Sequence, residues 1–411
     1  MSSNRRSYIL HTATLLLAVG SLAAFAAVPN PPPQVCLGSK CATTPVASSG
    51  TMKWHPGHYA QSDFYFTPSN LNATYADIDR MAAVLDGQGN PRFKGYMIQF
   101  HWADIEPTTQ GTYSSAQITA INSVLSRLTT HYQYNGVTVP FRLMIRIRVE
   151  SQGGTGGLPS YIVSGISGQG SDAVSASGSA GPGGYAAALW RAPVMNAYIK
   201  MASYLGSLYD ASPYVEMFQA LEETSIAYDG PPGDYSGSAF YTQVQNLVSG
   251  ISPSWPTTIK SFGPNFGPNN TDQSWLNNAV AYASTKSWAA GGSDLLVPNN
   301  ETWGELAFYN GTGGNGTDYR GKMPCVIGIE DDVYLWTSQT SAGDESYAYN
   351  TLHPSHMVWM IFPEAAYSSI AGKASQWWET GTVPALQAVN FRIAASGLAC
   401  PTDYSGNCNV N

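Results

Sequence analysis

The residues of this chain best suited to chemistry are carboxylates that close apolar, strand-like runs. Residues 215–225 read VEMFQALEETS, an apolar run ending in the adjacent acids Glu222 and Glu223. Residues 323–336 read MPCVIGIEDDVYLW, with Glu330 where the apolar stretch stops and Tyr334 just beyond. Apolar surroundings disfavour the charged form of a carboxylate and raise its pKa, which suits a general acid. The structural alternative is that one Glu of the pair meets an arginine and the other faces solvent. Three further runs bring polar and aromatic groups to comparable positions: KGYMIQFHW ends in His101 and Trp102, PFRLMIRIRVES carries Arg146 and Arg148, and SHMVWMIFPE carries Trp359. In sugar hydrolysis two carboxylates flank the glycosidic bond, and aromatic faces suit sugar rings. Carbohydrate chemistry is therefore the expectation.

Eight strand-helix units account for these runs. Strands are expected at Gly57 to Phe64, Gly95 to Trp102, Phe141 to Glu150, across the Val215 run, at TTIKSFGP, at Asp294 to Val297 in SDLLVP, from Met323 and from Ser355. Between them lie helical patterns, the clearest having Ile118, Ile121, Leu125 and Leu128 at helical spacing. The amphipathic VPALQAVNFRIAAS closes the chain. Such alternation selects an α/β fold, a single-domain (β/α)8 TIM barrel over residues 52–411 with long βα loops, the longest being a Gly- and Ser-rich insertion from Gln152 to Gly184. An open doubly wound sheet usually carries a Gly-rich phosphate loop after its first strand, and WHPGHYAQSD is not one. In barrels the active site forms at the C-terminal ends of the strands, where these acids and aromatics fall.

Acids ending the fourth and seventh strands of an eightfold barrel resemble the retaining glycoside hydrolases of clan A. The segment HWADIEPTTQGTYS is similar to the second-strand region of several of those families, with a tryptophan before an acid, a Glu-Pro and a Gly-x-Tyr. The resemblance covers about residues 54 to 395. It implies Glu223 as acid/base, Glu330 as nucleophile, no cofactor and no metal. It also implies a sugar-stacking role for Trp359. Many clan members have Asn-Glu where this chain has Glu222-Glu223. A carboxylate at the Asn position accepts a hydrogen bond from a sugar but donates none, so recognition of the 2-hydroxyl differs, and Glu222 remains a rival for the acid. Arg146 and Arg148 either hold Glu330 ionised or pair with barrel acids; His101 and Trp102 either contact substrate or serve neighbouring loops; Tyr334 is placed to hydrogen-bond the nucleophile.

Composition fits an exported protein with a neutral ligand. Of 411 residues 11% are charged and 12% aromatic, and the net charge of −8 argues against nucleic acid or an anionic membrane as partner. Arg5 and Arg6 precede an apolar run from Leu15 to Ala27 ending in Ala24-Phe25-Ala26, the pattern of a signal peptide over residues 1–27. Residues 28–51 then form a Pro-, Ser- and Thr-rich linker. The mature chain is expected to be secreted or periplasmic, monomeric and without stable membrane insertion. Cys36 with Cys41 and Cys400 with Cys408 suit small disulfide loops, leaving Cys325 a buried thiol. Two rival readings stand beside the enzyme: a non-catalytic carbohydrate-binding protein on a degenerate barrel, and a metal-dependent hydrolase using Asp331, Asp332 and His356.

Overall fold

A computed structural model describes residues 36–37, 40–41, 51–176, 183–221, 233–263, 274–292, 295, 317–329, 340–363, 377–389 and 391–410. The chain divides into two units, residues 1–44 and 45–411. In the first, Cys36–Leu37 pairs antiparallel with Lys40–Cys41, setting Cys36 opposite Cys41. The second holds a closed barrel of eight parallel strands, each paired with its neighbours in sequence and the last with the first. The strands are β1 (Gly57–Ser62), β2 (Gly95–His101), β3 (Arg142–Arg148), β4 (Val215–Leu221), β5 (Ile259–Phe262), β6 (Ala289–Gly292), β7 (Cys325–Ile329) and β8 (His356–Ile361). The longer described helices are α1 (Leu71–Ala82), α2 (Ser115–Thr130), α3 (Ala192–Tyr209), α4 (Gly237–Ile251), α5 (Ser274–Ser284), α6 (Ser341–Tyr347) and α7 (Val383–Val389). This is the (β/α)8 barrel that the alternation of patterns implies.

Strand alternation sorts side chains into two environments. On the outer faces Ile98, Phe100, Leu143, Ile145, Ile147 and Phe218 join one apolar core with the inward stripes of the helices. In α2 that stripe is Ala120, Ile121, Val124 and Leu128, and the helix starts where Ser114 accepts a hydrogen bond from the Gln117 N–H. Inside the barrel Tyr59, Met97, Met144, Met217, Ile259, Ala289, Val326 and Val358 form a second apolar cluster with Met52, Trp54 and Tyr404.

The sixth strand of the barrel is Ala289–Gly292. Of the expected Asp294 to Val297, residues 294, 296 and 297 lie outside the described residues, and Leu295 is buried with its N–H on the Gly328 carbonyl. Ala-Ala-Gly-Gly lacks the branched and aromatic residues that advertise strands. Its small side chains answer a packing need: a Cβ on Gly291 would meet the Gln219 Nε2 at 3.4 Å and the Phe262 carbonyl oxygen at 3.3 Å.

The N-terminal end of the barrel is plugged. Met52–Lys53 pairs with Cys408–Asn409, and a Cys400–Cys408 disulfide ties the chain's end into this clasp. The Lys53 ammonium is buried, donating to the Asp210 and Val215 carbonyls at 2.7 and 2.9 Å and to Thr258 Oγ1 at 2.7 Å. Burial pulls its pKa down to about 8, with the charges of Asp210 and Glu216 opposing the shift. Cys325 is a buried thiol outside any disulfide. Among the described residues, no helix is long and apolar enough to cross a membrane.

Candidate active site

From the plug towards the C-terminal ends of the strands, the barrel interior changes character in register. Met97, Met144, Met217 and Ile259 pair across β2 to β5 as one apolar row. Two residues further on, Gln99, Arg146, Gln219 and Ser261 form the next, all buried. Beyond them His101 stands opposite Arg148. The period of two in MIQFH and MIRIR writes this apolar, polar, charged succession directly into the sequence. Arg146 Nε donates to Gln219 Oε1 at 3.0 Å. Gln99 Oε1 and Gln219 Nε2 are buried and find no partner among the described residues. Buried polar atoms are costly unless paired, so these are groups suited to a polar ligand at the mouth.

At the rim the wall is built from β1 to β3. The His101 N–H donates to Asp104 Oδ2 at 2.8 Å, and its Nδ1 lies 3.6 Å from the same oxygen. The His101 ring lies against Tyr65, centroids 3.9 Å apart, and the Arg148 guanidinium sits 5.6 Å from the Tyr65 ring centre. Arg148 Nε donates to Glu150 Oε1. Gly157 packs so closely that a Cβ there would come within 2.6 Å of the His101 ring. The insertion after β3 thus begins as part of this wall. Its described portion is a three-stranded antiparallel sheet of Glu150–Ser151, Tyr185–Ala187 and Ala173–Ser175, with a short helix at Ser160–Ser164.

Of the predicted residues, His101, Arg146 and Arg148 come together at the mouth. Arg148 is engaged by Glu150, while Glu330 lies outside the described residues. Trp102 and Trp359 do not join them. Trp102 is fully buried under Tyr161 and Tyr198, its rings edge-on at 6.2 and 5.2 Å, so it has no face to offer a sugar. Trp359 turns to the outer side of β8. Buried there, it donates through Nε1 to His58 Nδ1 at 2.9 Å and belongs to the core between barrel and helices. That bond requires an unprotonated Nδ1, and burial pulls the His58 pKa down to about 4. Glu222, Glu223, Glu330 and Tyr334 lie outside the described residues, as do Asp331 and Asp332. His356 begins β8, at the plugged end, held by Glu216 and Ser355 and buried.

The HWADIEPTTQGTYS segment has a structural centre that the sequence reading missed, Glu106. Its carboxylate is fully buried, accepting from the Trp102 Nε1–H at 2.9 Å, the Tyr161 hydroxyl at 2.5 Å and the Gly111 N–H at 2.5 Å. One acid therefore ties the end of β2, the following turn and the helix of the insertion. Glu106→Ala leaves the buried Trp102 Nε1–H unsatisfied and releases the part-buried Tyr161 hydroxyl and the Gly111 N–H, and a loss of about 1–3 kcal/mol of stability is expected in urea denaturation. Faster proteolysis within the insertion is expected alongside, because Tyr161 loses its anchor. Stability equal to wild type would remove Glu106 from this role.

No protein-family model matches the chain, and no curated protein matches it. Among solved structures it is similar to a beta-1,4-D-mannanase from Cryptopygus antarcticus, 11% identical, covering 82% of this chain and 93% of that one, with a TM-score of 0.45. It is similar to a beta-mannanase from the blue mussel Mytilus edulis at 9% identity, covering 82% and 92%, with a TM-score of 0.43. An endo-glycoceramidase II from Rhodococcus sp. is 11% identical, covering 76% of each chain, with a TM-score of 0.46.

Proposed function

We propose that this chain is an exported glycoside hydrolase that cleaves a β-linked polysaccharide or oligosaccharide with retention of configuration. The observation that carries the reading is the layout of the barrel's C-terminal end. There the described part of β4 ends at Leu221 and that of β7 at Ile329, and the sequence continues directly into Glu222-Glu223 and into Glu330. The same end carries His101 and Arg148, above the buried row of Gln99, Arg146 and Gln219.

In the proposed reaction Glu330 attacks the anomeric carbon while Glu223 protonates the leaving oxygen. Glu223 then takes a proton from the water that hydrolyses the glycosyl-enzyme. Retention requires the two carboxyls to be about 5–5.5 Å apart, and inversion about 6.5–9.5 Å. Export is supported by the N-terminal pattern of Arg5, Arg6 and the apolar run to Ala27, and by the Cys400–Cys408 disulfide.

The test is incubation of the purified chain with a panel of β-linked glycans, following the anomeric configuration of the first product by NMR. Retention supports the double displacement, and inversion replaces it with a single displacement through water. Glycan binding without any hydrolysis would favour the carbohydrate-binding reading over the enzyme.

A further inference from the structure

We infer that Gln99 and Gln219 are substrate-binding residues, which receive the hydroxyls of an uncharged sugar ring seated in the barrel mouth. The inference deepens the hydrolase reading above and rests on it for the class of ligand. Gln219 is 1% exposed, and its amide has a fixed orientation. Arg146 Nε can only donate, so the atom 3.0 Å from it is the acceptor Oε1, and the far end of the amide is the donor Nε2. Gln99, 5% exposed, stands on the other side of Arg146 in the same row. Gln99 Oε1 and Gln219 Nε2 are buried without a partner among the described residues, and so is His101 Nε2, two residues beyond Gln99 on β2.

The row below is Met97, Met144, Met217 and Ile259, whose side chains are apolar. A partner for the three orphaned atoms therefore comes from the side of the mouth. In the neutral imidazole of His101 the proton sits on Nδ1, which faces Asp104 Oδ2 at 3.6 Å, and Nε2 accepts. The set is then one amide donor and two acceptors. A hydroxyl both donates and accepts, so a ring with neighbouring hydroxyls satisfies all three; a carboxylate satisfies the donor alone. Burying a polar atom unpaired costs more than an average hydrogen bond contributes. A ring whose hydroxyls are missing or acylated at this point is accordingly rejected, which makes the two glutamines a source of specificity.

The test is isothermal titration calorimetry of the wild type, Gln99→Met and Gln219→Met with thio-linked cellotetraose and mannotetraose, whose sulfur bridges resist hydrolysis. Thermal melts of each protein without sugar accompany it. Gln99→Met keeps the length of the side chain and removes an orphaned acceptor, so binding is expected to weaken about 10-fold or more while the Tm is no lower than in the wild type. Gln219→Met is expected to weaken binding as much, with a lower Tm because Arg146 Nε loses its acceptor. A glutamine kept only for packing lowers the Tm when it is replaced and has no direct effect on the sugar. Wild-type affinity in either variant, or a lowered Tm or failure to fold in Gln99→Met, overturns the inference and leaves the hydrolase reading intact. Binding of neither sugar by the wild type overturns it as well. Sugar binding lost in both variants, from a wild type that hydrolyses no glycan, supports these contacts while removing the hydrolase reading.

Discussion

Glu330→Gln is expected to lose hydrolysis by about 10³-fold or more, and the acid/base variant by about 10²–10⁴-fold. The two losses separate by leaving group. An aryl glycoside whose leaving group needs no proton restores the first step in the acid variant and does nothing for the nucleophile variant. The same substrate decides between Glu222 and Glu223. The resemblance favours Glu223. Restored cleavage in Glu223→Gln, with Glu222→Gln near wild type, keeps the assignment to Glu223. The reverse pattern moves the acid by one residue and leaves the mechanism standing. If none of the three substitutions lowers the rate, the carboxylate mechanism itself fails.

The barrel was legible because its strands differ in kind from its helices. Runs such as MIQFH and LMIRIR alternate with a period of two and are bounded by breakers, and seven of the eight strands fall within the expected runs. β6 was not, because Ala-Ala-Gly-Gly is selected by what it must leave room for, and the neighbouring Leu-Leu-Val carries the stronger propensity. The mouth was legible in part for the same reason: His101, Arg146 and Arg148 share the parity of the inward methionines. Side-chain direction at a strand's end has no such signal. Trp102 is the first residue of a short helix and turns under the insertion, and Trp359 has the parity opposite to Val358, which points inside. Glu106 was passed over because its partner Tyr161 emerges only when the insertion is folded onto the rim.

Glu216→Gln is expected to reduce stability by about 3–5 kcal/mol at neutral pH, the scale for removing one partner of a buried charged pair. For a chain of this size that corresponds to a fall in Tm on the order of 5 °C. Glu216 begins β4 at the plugged end, fully buried. Its Oε1 accepts from the His55 N–H at 2.6 Å and its Oε2 lies 2.6 Å from His55 Nδ1. His356 Nε2 stands 3.5 Å from Oε1, and its Nδ1 is 2.8 Å from Ser355 Oγ. These contacts join the entry to the barrel, β4 and β8 through one carboxylate. Burial alone would raise the pKa of this acid, but the His55 charge and the His356 hydrogen bond outweigh it and hold the value well below the usual range. A carboxyl depressed in the folded state stabilises above its unfolded pKa, about 4.5, and that contribution disappears as pH falls through the folded value. The variant should therefore differ most from wild type at neutral pH and converge on it in acid, read by urea denaturation at a series of pH values. A cost independent of pH would assign the effect to packing and not to the charge. The mouth lies at the other end of the strands, so kcat at a temperature where both proteins are folded should be unchanged, which separates the group that holds the barrel closed from those proposed to work at its opening.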